Sequence, residues 1–387
     1  MVKFKKLGDL CYISSGGTPK RTITDYWDNG KIPWVKISDI KSKHILNTDE
    51  RITKQGLENS SAKLFPKDTI VYTIFATVGE VGILDITAAT NQAIAGIQVK
   101  DRTQLRVDYL YYFLKSIKKS VQFLGRGVAQ NNINLSVLKS ISVPIPSFQE
   151  QTAIVKVLDS LNGQIKNKHK QLTLLSQLIK ARFVEMFGDP INNSKNWKLI
   201  NIKKCCVDIL GGGTPSKSHP EFFTGSVPWV TPKDMKENVI TDSKDHITYE
   251  AISNSSAKLI PSNSVLMVIR SGILKHTLPV AINKNEVTIN QDMKAFVPTS
   301  EISPIFLENY FIAISPDILS KVRSVTADNI NFKSFQKRKI ILPPISLQNE
   351  FANFVQQVDK SKFENIVYLN KMLLMKILSQ LGDVSRD

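Results

Sequence analysis

Cysteine and histidine are scarce in this chain, with three and five among 387 residues. Cys11, Cys205 and Cys206 make neither a disulfide framework nor a thiolate metal cluster, and read as small core residues of a protein kept in a reducing compartment. The five histidines, His44, His169, His219, His246 and His276, lie far apart without ligand spacing, and no His-Glu-x-x-His occurs. A phosphate-cradling Gly-x-x-x-x-Gly-Lys-Ser/Thr loop is also missing, since Gly30-Lys31 runs straight into Ile32. Gly16-Gly17 and Gly211-Gly212-Gly213 lack dinucleotide-site spacing and read as turns. Glu-x-Lys, the commonest carboxylate–lysine signature of metal-dependent nucleases, is absent. Leu342-Pro343-Pro344-Ile345 has neither the amide or carboxylate nor the aromatic that would grip a flipped adenine. No catalytic and no metal-ligating residue is therefore assigned. No apolar run approaches the roughly 18 residues that a membrane span needs. The opening MVKFKKLGDLCYISSGG lacks the apolar core of a secretory leader, so a cytoplasmic location is expected.

Positive charge, by contrast, is plentiful. Fifty-one Lys and Arg face 34 Asp and Glu, a net charge of +17. Such an excess suits a polyanionic partner. With 42% hydrophobic residues, the length fits two or three folded domains rather than one core.

Two stretches carry helical periodicity far beyond what a domain core requires. From Ser147 to Phe187, Leu158, Leu161, Ile165, Leu172, Leu175, Ile179 and Met186 recur at three- and four-residue steps, with Lys168 and Arg182 as polar interruptions. Ser147 and Glu150 form a capping-box pattern after Pro144 and Pro146, and Gly188-Asp189-Pro190 ends the run. Such a helix would be roughly 60 Å long. The second stretch, Ser346–Leu381, follows Pro343-Pro344. Its stripe of Leu347, Phe351, Phe354, Val355 and Val358 continues, after an irregular step, as Phe363, Ile366, Leu369, Leu373, Ile377 and Leu381. Neither helix could hide its stripe alone, and an antiparallel coiled coil of the two is the simplest burial.

The remainder is a repeat. Gly16-Gly17-Thr18-Pro19 recurs as Gly212-Gly213-Thr214-Pro215, and Pro33-Trp34-Val35 as Pro228-Trp229-Val230. Asp39 recurs as Asp234, Ser60–Leu64 as Ser255–Leu259, Asn91-Gln92 as Asn290-Gln291, and Asn132–Asn134 as Asn329–Asn331. So many short matches in one order mark a duplication. We expect domains at residues 1–146 and 190–345, with spacer helices at 147–189 and 346–387. The fold class is α+β: two duplicated domains of mixed helix and sheet, each with a twisted sheet and a few helices, separated by two long helices. Trp34 and Trp229 sit in apolar contexts and read as core. Asp39 and Asp234 suit either a local turn or a binding surface. Polar residues around the repeated motifs form the candidate binding surface: Lys20, Arg21, Lys36, Ser38, Lys41 and Arg126 in the first domain, and Lys217, Thr231, Lys233, Lys236, Arg270 and Lys275 in the second. Arg270-Ser271-Gly272 is expected at a hairpin tip, where an arginine could reach a guanine edge. Its counterpart is Phe75-Ala76-Thr77, different chemistry on the same frame.

The layout resembles the specificity subunit of Type I restriction-modification systems. The carrying features are Gly-Gly-Thr-Pro near each domain start, the Ile/Val-Pro-Trp-Val segments, the Asn-Gln and Asn-Ile-Asn pairs, and the proline- and glutamine-bearing openings of the long helices. The resemblance implies double-stranded DNA as ligand, each domain being a target recognition domain that reads half of a bipartite, asymmetric target. It implies two methyltransferase subunits and restriction (translocase-nuclease) subunits as partners, in a bacterial or archaeal cytoplasm. S-adenosylmethionine, ATP and magnesium are then expected on those partners, with no cofactor in this chain and no membrane partner. A protein-interaction scaffold of two repeated domains is the alternative reading.

Overall fold

The computed structural model describes residues 2–124, 132–324 and 328–381. Two compact units emerge. One comprises the chain up to Lys166 and again from Lys371 onward, the other Asn167–Asn370.

In the first unit, five strands form a sheet in the order Cys11–Ser15, Ile94–Val99, Ile70–Thr73, Val81–Leu84, His44–Ile45. Ile70–Thr73 and Val81–Leu84 are a turn-linked pair, all buried. Strands with no solvent face read as continuous apolar runs, as these do. A second sheet orders Glu50–Ile52, Ile32–Val35, Ala88–Thr90 and Leu64–Phe65. Within it, Trp34 and Val35 run parallel to Ala89 and Thr90. The single twisted sheet expected for each domain is thus two larger sheets beside a two-stranded clasp. Phe65 and Val71, one from each, share a buried cluster. Val107–Ser116 covers the larger core with Tyr109, Leu110, Tyr112 and Leu114.

The second unit repeats this plan. Cys206–Gly211, Met293–Pro298, Val265–Val268, Val280–Asn283 and Val239–Ile240 make its five-stranded sheet. His246–Ile247, Val227–Val230 and Thr288–Ile289 make a three-stranded one. Pro304–Ala313 is the equivalent helix. In both halves the last strand pairs antiparallel with the first, Ser142–Ile145 on Lys3–Lys6 and Lys339–Leu342 on Lys198–Asn201. That clasp delivers the chain to a long helix.

The long helices span Phe148–Phe187 and Ile345–Leu381. Ser147 and Glu150 form the expected capping box, with the Ser147 N–H donating to Glu150 at 2.7 Å and the Glu150 N–H to Ser147 Oγ at 3.3 Å. A buried glutamine then locks each helix to its domain. Gln151 accepts from the Arg106 N–H and donates to the carbonyls of Gln104 and Pro146. Gln348 accepts from the Ser303 N–H and donates to Glu301 and Pro343. Both are 0% exposed and both occupy the fourth helical position. This equivalence was not evident from sequence.

Within the second unit the helices pair antiparallel. Arg182 meets Glu350 at 3.1 Å and Lys168 meets Asn365 at 2.9 Å, so one number falls as the other rises. Phe183, Phe187, Phe306 and Phe351 interlock with ring centroids 4.9–5.8 Å apart, joining helix seam to domain core. Burying each such ring contributes roughly 1.5–3 kcal/mol. On the first helix Leu158, Leu161 and Ile179 are buried, and Ile165, Leu172 and Leu175 half-buried, along the expected seam. On the second helix Val358 is buried as expected, but the sequence reading of the rest needs correction. Phe363, Ile366 and Leu373 are exposed, at 67%, 45% and 40%. The seam makes no irregular step. It keeps its heptad from Phe351, Val355 and Val358 through Lys362 and Asn365 to Leu369 and Met372. Two polar residues stand where apolar ones were sought, and polar seam positions fix register in paired helices. The Ile377 side chain lies outside the described residues.

Candidate nucleic-acid interface

The repeated motifs converge on one frame in each unit. Trp34 and Trp229 are core residues, and each indole N–H donates to the second glycine of Gly-Gly-Thr-Pro: Trp34 to Gly17 O at 3.1 Å and Trp229 to Gly213 O at 3.0 Å. Those glycines are squeezed between backbones. A Cβ on Gly17 would strike the Ser61 backbone, and one on Gly213 the backbone of Ser256 and Ala257. On the other side, Gly16 lies against Thr90 and Asn91, and Gly212 against Ile289 and Asn290. The adjoining threonine hydroxyls, Thr18 and Thr214, bond to Gln92 and Gln291. Asp39 and Asp234 hold turns, accepting from the N–H of Lys36 at 2.7 Å and of Thr231 at 2.9 Å. Asn134 and Asn331 cap short helices. Most of the repeated polar residues therefore build the frame and leave the presented chemistry to their neighbours.

In the second unit that frame borders a recess of about 940 Å³. Lys217, Thr231, Lys233 and Arg270 line it together, beside Phe223, Trp229 and Gln291. The Thr231 hydroxyl is occupied by Asp234 at 2.8 Å, so this residue shapes the turn. Arg270 lies in the connection of an antiparallel hairpin, Val265–Val268 with Val280–Asn283, near its start rather than at its tip and just before the 3-10 turn Gly272–Lys275. Its Nε donates to Asp292 Oδ1 at 2.6 Å, and Asp292 in turn accepts from the Asn290 side chain at 3.2 Å. The Arg270 side chain is 48% exposed, with its terminal nitrogens beyond that bond. Asp292 and Gln291 were missed as site residues. The repeated Asn-Gln pair pointed to their neighbourhood. Lys236 and Lys275 do not line this recess. Lys236 lines two others, and the Lys275 ammonium stands 4.0 Å from Asp328.

The first unit carries a different lining. The Arg21 guanidinium stacks on Trp27, 3.7 Å from its centroid, and pairs with Glu50 at 2.5 Å. Lys36 also pairs with Glu50, at 2.8 Å. Burial opposes ionisation of Glu50, but bonds from Lys36 and Arg21 prevail and hold its carboxyl below the usual range. Lys20, Ser38 and Lys41 are exposed, Ser38 in the 3-10 turn Ile37–Asp39. Where the second unit has Arg270 and Asp292, the first has Phe75 and Ala93, and Phe75 is 40% exposed. Arg126 lies outside the described residues.

The same duplication is visible in comparison with known proteins. A family model, the Type I restriction modification DNA specificity domain, matches residues 1–177 and again 194–371. The chain belongs to this family. As such a specificity chain, it is 26% identical to the Type I restriction enzyme MjaIX specificity subunit of Methanocaldococcus jannaschii, over 98% of this chain and 90% of that protein. It is 29% identical to the EcoR124I/EcoR124II specificity subunit of Escherichia coli, over 75% of this chain and 72% of that one. Its fold is shared with a Type I S subunit from M. genitalium (TM-score 0.58, 14% identity, covering 98% of this chain and 95% of that one). A chain from a structure of type I R-M complex assembly has the same fold (TM-score 0.62, 17% identity, with the same coverage).

The three cysteines of this specificity chain are buried and unpaired. Burial pushes each thiol up to about 12, which keeps them unreactive. Among the described residues no cluster of His, Cys, Asp and Glu could hold a metal ion, and no helix is long and apolar enough to cross a membrane.

Proposed function

We infer that this chain is the sequence-specific DNA-binding subunit of a Type I restriction-modification complex, each domain reading one half of a bipartite target. The carrying observation is one hydrogen-bonded frame built twice with different linings. Arg270 and Asp292 stand in one copy where Phe75 and Ala93 stand in the other. Identical frames with different faces suit an asymmetric target. Arg270 is the base reader in the second half-site. Lys20, Ser38 and Lys41, and Lys217 and Lys233, are phosphate contacts that position the duplex without specifying sequence. Arg21 and Lys36, tied to Glu50, form a charged ledge rather than free cations.

The chain itself is non-catalytic. It directs adenine methylation or DNA cleavage by two methyltransferase subunits and by restriction subunits in the cytoplasm. S-adenosylmethionine, ATP and magnesium belong to those partners. The test is binding of the chain, co-purified with its methyltransferase partner, to a labelled duplex carrying the target. Retention against excess nonspecific DNA supports the reading. Equal displacement by any duplex contradicts it.

A further inference from the structure

The internal repeat provides a comparison where each domain meets a long helix. In the first unit the Ile83 N–H donates to the Lys43 carbonyl at 2.7 Å. The Lys43 ammonium sits between Asp108 at 2.8 Å and Asp159 at 2.9 Å, over the Tyr112 ring at 4.9 Å with Tyr111 beside it. The Tyr112 hydroxyl bonds to Asp159, and Asn162 donates to that hydroxyl at 2.9 Å. One cation, two acids and two rings make the contact.

In the second unit the same backbone bond runs from the Ile282 N–H to the Asn238 carbonyl at 2.9 Å, so Asn238 stands in the place of Lys43. At the fifth and sixth positions of the domain helix, Glu308 and Asn309 replace Tyr111 and Tyr112. Along the long helix, Gln356 and Asp359 replace Asp159 and Asn162. The cation, both rings and both acids are gone, Ile305 standing for Asp108 and Gln356 for Asp159, while new acids, Glu308 and Asp359, stand where Tyr111 and Asn162 stood. Four of these positions, Asn238, Glu308, Asn309 and Asp359, line a pocket of about 560 Å³. Glu308 is 4% exposed, and its Oε1 has no hydrogen-bond partner among the described residues. Its Oε2 accepts from the Asn309 amide at a long 3.5 Å. Lys362 also lines the pocket, but its ammonium goes to Asp359 at 3.0 Å.

We propose that this pocket binds a primary ammonium group, seated against Glu308 as Lys43 is seated against its acids in the first unit. A desolvated ammonium–carboxylate bond is strong, and an unpaired buried carboxyl is costly. Lys180, Lys236 and Glu237 complete the charged lining, and the lysines disfavour a polycation. Burial pushes the Glu308 carboxyl up to about 8, Asp359 adding to the rise and Lys362 opposing it. An arriving ammonium favours the ionised form. Binding near neutral pH therefore releases a proton and tightens as pH rises through about 8. The inference is independent of the DNA reading.

The experiment is calorimetric titration of the full chain with n-butylammonium chloride, in phosphate and in HEPES buffer. One site per chain is expected, with a buffer-dependent heat from proton release. Glu308→Gln weakens binding about tenfold or more. Asn238→Lys, which restores the first unit's own cation, removes the site, with the fold checked by thermal melting. Equal binding to wild type and both variants, or no binding to wild type, overturns the proposal. Repeating the titration on the complex with the methyltransferase partner separates the sources. A site that persists takes a free amine. A site that is lost, with weaker assembly of Glu308→Gln, takes a lysine of that partner.

Discussion

Replacing Arg270 by alanine isolates the one side chain assigned to a base edge. Asp292 holds its Nε at 2.6 Å, so Nη1 and Nη2 are the fork left for the O6 and N7 of a guanine. Loss of such a pair costs about 1–3 kcal/mol, or roughly 5- to 150-fold in discrimination. The fold should hardly notice, because Arg270 is 48% exposed and a surface ion pair contributes about 1 kcal/mol or less. The assay is methylation by the assembled complex of duplexes carrying single base changes in either half of the target. Arg270→Ala should lose discrimination at one position of one half-site and retain it elsewhere. Arg270→Lys keeps the charge but not the planar fork, and should recover little of it. Equal loss in both halves, or unchanged discrimination, refutes the assignment.

Other consequences follow from the frame. Gln348→Leu strands the Ser303 N–H and the Glu301 and Pro343 carbonyls, and should cost about 3 kcal/mol in urea denaturation. Gly213→Ala drives a Cβ into the Ser256–Ala257 backbone and should cost about 1–3 kcal/mol, whereas Gly272→Ala, with open space around it, should stay within about 0.5 kcal/mol. Lys217→Ala and Lys233→Ala should weaken all DNA sequences alike, each lowering the slope of log affinity against log salt by about one in a filter-binding series.

The repeat and the two long helices were legible because they need only local pattern. A capping box and a heptad are written within a few residues of themselves. The purpose of the repeated motifs was not legible, because it is tertiary. Gly17 must be glycine on account of the Ser61 backbone, and Trp34 bonds to Gly17 across 17 residues. The second helix misled for a physical reason. Phe363, Ile366 and Leu373 carry the right hydrophobicity and nearly the right spacing, yet they are exposed. Lys362 and Asn365, which periodicity discounts, lie on the seam, where Asn365 bonds to Lys168. Apolar periodicity identifies a face without identifying what covers it. Arg270 stood out as a charge at an expected hairpin tip, but Asp292, which orients it, lies 22 residues further on, in the turn just before Met293–Pro298, and only folding brings them together.

In the proposed role, this chain alone dictates which split sequence its partners modify. The most direct test is genome-wide mapping of methyladenine in a methylation-free host expressing the partner methyltransferase with and without this chain. One new bipartite motif with two unlike halves is expected, present only when the chain is expressed. A soluble, co-purifying methyltransferase that leaves no new motif, or the same motif without the chain, would contradict it.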